Sequence, residues 1–215
     1  DYGPPEDVEL YWLTSYESEI AHTLQTTIGK KVWWQSTYII DPSVMYPQIF
    51  DQLPLANPAD IDRQGLDSRI IPWLAWLDRV DGFYYPQTVD WDGDPWKTPF
   101  SNGISNGDSY FFYPPKDDTI AFDPCVSGSN RLVPSIRLEL LREGMEDYAY
   151  LWLLNGGKPV IGEENQGDTL LQEMISSRTA FSRIPTAWEA LRVTLAGLIE
   201  VQQSYIYLYL PLLIR

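Results

Sequence analysis

The chain has 215 residues, 15 of them basic and 30 acidic, and its net charge is −15. This excess of carboxylates argues against a nucleic-acid partner, because phosphates would be repelled. One histidine, His22, and one cysteine, Cys125, exclude an internal disulfide and a cysteine-based zinc site, and they leave little room for histidine-based metal sites or Ser-His-Asp catalysis.

Aromatic residues are frequent, with 9 Trp, 14 Tyr and 7 Phe making up 14% of the chain. Trp and Tyr rings combine an apolar body with a polar tip, so they fill large cores and also stack on half-polar ligands such as sugars. An acidic, tryptophan-rich and histidine-poor chain therefore suggests carbohydrate chemistry carried out by carboxylates. Composition alone leaves a large aromatic core as the alternative.

Apolar spacing and turn signals predict strands and helices that alternate along much of the chain. The predicted elements are a strand at 8–13, a helix at 15–28, a strand at 31–40, a helix at 66–80, strands at 83–89 and 109–113, and helices at 135–154, 169–178 and 185–203. The tail from Tyr205 onward is expected to be strand-like or irregular. Its apolar run, 205–214, is too short to cross a bilayer and contains Pro211, so no membrane partner is expected.

Strands that alternate with helices predict an α/β fold with parallel strands and crossover helices. A complete eight-fold barrel takes about 250 residues, whereas this pattern holds four strands. Two architectures fit: a small open α/β sheet, or the C-terminal half of a (β/α)8 TIM-type barrel. The chain opens with Asp1 and lacks a basic, apolar leader, so we expect a processed chain or a fragment.

Three sequence blocks carry a family resemblance. They are Val32–Ser36, Leu66–Trp76 continuing to Tyr85, and the long ungapped stretch Pro134–Leu151; a further match runs from Gly107 to Pro114. Together they resemble the C-terminal part of the catalytic domain of glycoside hydrolase family 123 and its uncharacterised relatives. The resemblance covers roughly residues 8–154, fits the following helices loosely and does not extend to the tail.

The resemblance implies a (β/α)8 barrel, usually preceded by a β-sandwich, and an exo-acting β-N-acetylgalactosaminidase or related glycosidase. It also implies substrate assistance, in which the sugar's 2-acetamido oxygen attacks the anomeric carbon while an adjacent Asp-Glu pair orients the acetamido group and protonates the leaving oxygen. This sequence contains no Asp-Glu dipeptide. We therefore expect the pair upstream of Asp1, no catalytic residue within the chain, and an inactive isolated chain.

The resemblance divides the chain into three parts. Residues 1–154 are expected to form the partial barrel, 155–203 to pack on it as C-terminal helices, and 204–215 to form an atypical apolar tail. A carbohydrate substrate is the expected partner, self-association through open sheet edges is expected, and the family's substrates favour an extracellular setting. Two alternatives stay open: a non-catalytic carbohydrate-binding or scaffold protein, and a truncated product without activity.

Candidate substrate-binding residues follow the predicted strands. The resemblance implies that aromatic and amide side chains at these strand ends form the walls of the sugar pocket, namely Trp34, Gln35, Tyr85, Gln87, Trp91 and Tyr113. For Trp34 and its neighbour Trp33, alternation between barrel core and helix layer is the competing interpretation.

Polar candidates are fewer. Asp67 and Arg69 are candidates for contacts with substrate hydroxyls, although a helix N-cap carboxylate with an ion-pair partner explains them as well. Arg137, which opens the helix at 135–154, is interpreted as structural. The segment Asp90–Asp94 resembles a calcium loop, but Pro95 stands where that loop requires glycine. No metal and no cofactor are therefore predicted.

Overall fold

A computed structural model describes residues 7–12, 16–35, 61, 63–85, 88–89, 94–98, 100–101, 105–106, 110–114 and 132–213. The strands are β1 (Val8–Trp12), β2 (Lys31–Gln35), β3 (Gly82–Tyr84), β4 (Phe100–Ser101), β5 (Ser105–Asn106), β6 (Phe112–Tyr113), β7 (Val133–Pro134), β8 (Ile175–Ser177) and β9 (Ala180–Phe181). The helices are α1 (Ser18–Thr23, continued by a π-helical turn over Leu24–Ile28), α2 (Leu66–Arg69), α3 (Ile71–Leu77), α4 (Ile136–Asn155), α5 (Gln166–Gln172) and α6 (Pro185–Leu213).

A parallel sheet with the strand order β1-β2-β3 confirms the α/β prediction. In its register, Tyr11, Trp34 and Phe83 lie side by side. Together with Val32 they pack against the buried core, so we call this the helix-covered face. Side chains alternate along a strand, and the residues between them form what we call the half-exposed face: Leu10, Trp33, Gln35, Gly82 and Tyr84.

The core lies between the sheet and the helices. Trp34, Trp73, Trp76 and Trp188 are among the largest fully buried side chains. Trp73 meets Trp188 edge to face at a centroid distance of 5.1 Å. Helices α2 and α3 pack along α4, and α4 packs on α6. Much of the aromatic content is therefore core, as the competing interpretation of the composition held.

Three predicted elements differ in the structure. The fourth strand is two residues of β6, and it pairs antiparallel with β7 rather than joining the parallel sheet, because the chain returns beside it just before α4. The helix predicted at 169–178 ends at Gln172, since Ile175 pairs with Phe181 in a hairpin whose turn is held by the Ser177 hydroxyl. The tail, predicted as strand-like or irregular, continues α6 to Leu213.

Candidate functional site at the carboxyl ends of the parallel strands

The carboxyl ends of β2 and β3 bring predicted site residues to one edge of the sheet. Gln35 ends β2 and lies beside Tyr84, which ends β3, and Tyr85 follows directly. In α/β barrels and open α/β sheets, ligands bind beyond the carboxyl ends of the strands. This edge is therefore the place to search for a binding site.

Five aromatic rings, which we call the aromatic cluster, extend from this edge. Tyr85 meets Phe111 edge to face with ring centroids 4.7 Å apart. Tyr113 meets Tyr110 at 6.0 Å and Trp96 at 4.7 Å. Tyr110 and Phe111 are buried, whereas 43% of Trp96 is exposed. The cluster therefore has a buried base and an accessible rim, to which Trp96 and the half-buried Tyr113 belong.

Backbone and side-chain hydrogen bonds hold the base of the cluster. The Phe111 amide donates to the Thr88 carbonyl at 3.2 Å, and the Phe111 carbonyl accepts from the Ser135 amide at 2.8 Å. Arg137, 4% exposed, donates to the Tyr110 carbonyl at 2.7 Å and lies 5.9 Å from the centre of the Phe111 ring. Arg137 therefore has a structural role, as the sequence suggested, and its partners Tyr110 and Phe111 belong to the aromatic cluster.

The helix cap explains why Arg137 lies here. Ser135 has an extended backbone conformation, and its hydroxyl accepts from the Leu138 amide at 3.2 Å, which confirms the predicted start of α4. The cap fixes the first turn of α4 directly behind Phe111 and Tyr110. The Ser135 cap, a local feature of the sequence, thereby positions the Arg137 side chain that contacts the aromatic cluster.

Trp96 is a member of the cluster that the sequence analysis did not single out. Its backbone amide donates to the Asp94 carboxylate at 3.0 Å, and its indole nitrogen donates to the Pro114 carbonyl at 2.9 Å. The pattern Asp94-Pro95-Trp96 is typical of a turn that an aspartate side chain closes. That signal was present, but the partner carbonyl at Pro114 is 18 residues away along the chain.

Trp34 lies on the helix-covered face. It is 0% exposed and contacts the Tyr16 ring edge to face at 5.3 Å. Its indole nitrogen is buried and has no hydrogen-bond partner among the described residues. The competing interpretation, that Trp34 belongs to the helix layer, matches this position, and Trp34 offers no ring face to a ligand here.

Asp67 and Arg69 are buried in ion pairs. Asp67, whose side chain is 0% exposed, pairs with Arg183 and lies 3.6 Å from Arg63. Arg69 donates to Asp147 at 2.7 Å and also pairs with Glu189. The ion-pair interpretation is confirmed, whereas the N-cap position of α2 is Gly65 and Asp67 lies in the first turn of the helix. Their contacts with substrate hydroxyls stay a prediction.

Burial sets the protonation chemistry of this network. Asp147 is wholly enclosed, and burial raises the pKa of its carboxyl although hydrogen bonds and charge from Arg69, charge from Arg192 and a hydrogen bond from Trp73 act in the opposite direction. The network joins α2, α3, α4 and α6. The network stabilises the packing of these helices, because its charged side chains pair with each other.

Two predicted site residues, Gln87 and Trp91, lie outside the described residues, as does most of the Asp90–Asp94 segment. In the part of the chain that the structure describes, no group of three metal-ligating side chains lies together. No helix in those same ranges is both long and apolar enough to cross a membrane.

A cleft of about 430 Å³ lies at the amino ends of the parallel strands, opposite their carboxyl ends. Its lining includes Gln25, Lys30, Lys31, Asp81 and Lys158. Each lysine has a carboxylate partner, in Glu9, Asp7 and Asp81 respectively. Since β2 begins at Lys31 and Asp81 precedes β3, this cleft lies at the amino ends of the strands, where conserved features of barrels serve stability.

One comparison with known protein families finds a match to part of the chain. Residues 60–154 match the family model described as the glycoside hydrolase 123 catalytic domain. The matched range includes α2, α3, β3 and nearly all of α4, together with the aromatic cluster and Arg137. No curated protein matches the chain. The match agrees with the resemblance drawn from the sequence: residues 60–154 are similar to the glycoside hydrolase 123 catalytic domain.

Proposed function

We propose that this chain is the part of a glycoside hydrolase that forms one side of a sugar pocket, with N-acetyl-β-galactosaminides or related glycosides as substrates. The observation that carries the proposal is the family match over residues 60–154. The aromatic cluster supports it, since an accessible Trp–Tyr rim over a rigid base suits the apolar C–H face of a pyranose.

The proposed architecture is the C-terminal half of a (β/α)8 barrel. Three parallel strands, helices packed on one face and a half-exposed second face support it. In a closed barrel the second face would point into the barrel, with the carboxyl ends of its strands at the mouth where ligands bind. The match over the catalytic domain supports this arrangement over a small open sheet.

The proposed mechanism is retaining and substrate-assisted. The acetamido oxygen forms a bond to the anomeric carbon as the glycosidic bond breaks, and the leaving oxygen takes a proton from a carboxylic acid. Water then opens the cyclic intermediate and restores the acetamido group. Because the sequence holds no adjacent Asp-Glu pair, the proposal places that pair on residues outside these 215, and this chain binds and orients the sugar.

Hydrolysis of an aryl N-acetyl-β-galactosaminide tests the enzyme proposal. General acid catalysis contributes about 10²- to 10⁴-fold, so the purified chain is expected to show no turnover. The same chain, extended by the coding sequence upstream of Asp1, is expected to release the aryl alcohol. Turnover by the 215-residue chain itself would place the acid within it and contradict the mechanism.

Sugar binding tests the proposed pocket independently of catalysis. We expect methyl N-acetyl-β-galactosaminide to bind the chain in a calorimetric titration, and Trp96→Ala or Tyr113→Ala to weaken that binding. Trp152→Ala is the matched control, because Trp152 is 44% exposed on α4 and outside the aromatic cluster. Equal affinities for all four proteins would argue against the cluster as a binding surface.

A second candidate is a carbohydrate-binding protein without catalysis, and the missing Asp-Glu pair favours it. It shares the binding prediction but differs in the hydrolysis assay. Sugar affinity without turnover, in both the 215-residue chain and the extended chain, would select it.

Self-association is a further part of the proposal. Among the described strands, β1 and β3 each have one neighbour in the parallel sheet, so each leaves one edge unpaired there. Unpaired edges promote association, whereas a net charge of −15 opposes it. Sedimentation velocity at increasing concentration and salt is expected to reveal reversible association that salt strengthens; a concentration-independent monomer would contradict it.

A further inference from the structure

The half-exposed face of the parallel sheet carries a second tryptophan that the pocket prediction left out. Trp33 lies between Leu10 on β1 and Gly82 on β3 in the register. Its neighbour Trp34 points to the helix-covered face and is buried, whereas Trp33 is half-buried. The alternation of the strand therefore assigns the two indoles to different environments.

The indole of Trp33 lies flat on Gly82. A Cβ atom placed on Gly82 would lie 2.8 Å from Cε2 of Trp33 and 2.9 Å from both Cδ2 and Nε1. Cδ2 and Nε1 are the two neighbours of Cε2 in the five-membered ring. An atom that approached Cε2 in the ring plane could not be almost equally far from all three atoms, so the added Cβ would meet the face of the ring. One face of the indole thus rests on the Gly82 backbone, and glycine is what permits this contact.

Within the part of the chain that the structure describes, the polar groups around this indole have no other partners. Within the described residues, Trp33, Gln35 and Tyr84 make no side-chain hydrogen bond, ion pair or ring contact. Gln35 and Tyr84 lie side by side on the same face, two residues further toward the carboxyl ends than Trp33 and Gly82. A flat aromatic surface, an indole N–H, an amide and a phenol therefore come together at this edge without internal partners.

We propose that Trp33 is the stacking platform of a sugar subsite on the half-exposed face, with Gly82 admitting the ring in its flat position. The second face of the indole packs on the C–H face of a pyranose, while Gln35 and Tyr84 form hydrogen bonds to its hydroxyl groups. This inference rests on the proposed function and adds a residue, Trp33, and a determinant, Gly82, that the predicted pocket did not contain.

Two substitutions with matched controls test the platform in the full 215-residue chain. Gly82→Ala places a methyl group inside the ring contact and displaces the indole, and Trp33→Ala removes it. Both are expected to weaken binding of methyl N-acetyl-β-galactosaminide by about tenfold or more in a calorimetric titration. Gly197→Ala, whose added Cβ meets nothing within 4 Å, and Trp152→Ala are expected to bind as the wild type does.

The outcomes separate this inference from the proposed function. Wild-type binding that both Gly82→Ala and Trp33→Ala lose supports the platform. Wild-type binding that folded forms of these variants retain overturns the platform and leaves the proposed function standing. Absence of sugar binding to the wild type overturns both.

A second measurement covers the case in which Gly82→Ala or Trp33→Ala fails to fold. The indole N–H resonance of Trp33 is identified as the one absent from the spectrum of Trp33→Tyr. In the wild type that resonance is expected to shift progressively as the sugar is added, because the ligand packs on the ring face and changes the magnetic environment of the N–H. A resonance that stays fixed while the sugar binds overturns the platform.

Discussion

Nε of Arg69 donates to Oδ2 of Asp147 across 2.7 Å, and both side chains are buried. The same carboxylate accepts from the Trp73 indole at 3.2 Å and forms an ion pair with Arg192 at 3.0 Å. One carboxylate thus binds α2, α3 and α6 to α4. Removing this carboxylate by substitution is costly, because the buried Arg69 guanidinium would lose an anionic partner in a medium that solvates ions poorly.

Asp147→Asn is therefore expected to destabilise the chain by about 3–5 kcal/mol, the usual cost of leaving a buried ion without its partner. Urea unfolding measures the difference. The control is Glu139→Gln, which removes one exposed partner of Arg142 and is expected to change stability by less than about 1 kcal/mol. Equal effects of the two substitutions would show that the Asp147 network does not stabilise the helix packing.

Gly144 in α4 is expected to tolerate no side chain. A Cβ there would lie 2.1 Å from the Arg69 carbonyl oxygen and 3.0 Å from Cδ of Pro72, so α2 and α4 would have to separate. Gly144→Ala is expected to cost about 1–3 kcal/mol or more in thermal or urea unfolding, as overpacked cores do.

Gly197→Ala in α6 provides the opposite expectation. An added Cβ meets nothing within 4 Å, so the better helix propensity of alanine is expected to raise stability by about 0.5–1 kcal/mol. A stabilising Gly144→Ala would contradict the close approach of α2 and α4.

Two buried tryptophans allow a test of indole hydrogen bonding. Trp34 and Trp76 are both 0% exposed. The Trp76 indole donates to Asp168 at 3.0 Å, whereas that of Trp34 has no partner among the described residues. Trp76→Phe is expected to cost about 1.5–3 kcal/mol more than Trp34→Phe, since only the first loses a bond to a charged group. Urea unfolding of both variants measures this difference, and a larger loss for Trp34→Phe would contradict it.

Asp81 is expected to make folding stability depend on acidity. Burial raises the pKa of its carboxyl, but hydrogen bonds from Lys158, the Val32 amide and Gln25 outweigh burial, and the pKa lies below the ordinary 3.8. The unfolded chain therefore binds the proton more readily than the folded chain. The stabilisation is present above the unfolded pKa and is lost as pH falls through the folded pKa.

Asp81→Asn is accordingly expected to lose less folding stability than the wild type when the pH falls from about 5 to about 2. Urea unfolding at a series of pH values measures this loss. Asp7→Asn serves as the control, because Asp7 is 59% exposed and its pairing distance to Lys31 is 3.6 Å. An Asp81→Asn curve that parallels the wild type throughout would show that this carboxyl contributes nothing to acid unfolding.

Local sequence signals predicted several elements correctly because the interactions that form them are short in sequence. Ser135 caps α4 through an amide three residues away, and Gly29 ends the first helical segment with φ of 75°. The pattern at 31–40 predicted a strand, and β2 forms there at Lys31–Gln35. Of the three sequence blocks that carried the family resemblance, the match over 60–154 includes two in full, 66–85 and 134–151.

Other features depended on partners far along the chain. The segment at 112–113 has the aromatic composition of a sheet strand, yet it pairs antiparallel with 133–134, a choice that strand propensity does not encode. Asp67 fits a helix cap by type and position, but its partner is Arg183, 116 residues away. Sequence reasoning could propose ion pairing for Asp67 but could not identify Arg183.

Sequence by itself determined the alternation of strands and helices and the acidic and aromatic character of the chain. Periodicity and capping act over a few residues, so they can be read without the tertiary structure, and the resemblance to a glycoside hydrolase catalytic domain was carried by sequence blocks rather than by these patterns. The tertiary structure decided which side each tryptophan faces. A strand's alternation says that Trp33 and Trp34 differ, but only the helices packed on one face of the sheet, and Gly82 beneath the other indole, decide which is core and which is accessible.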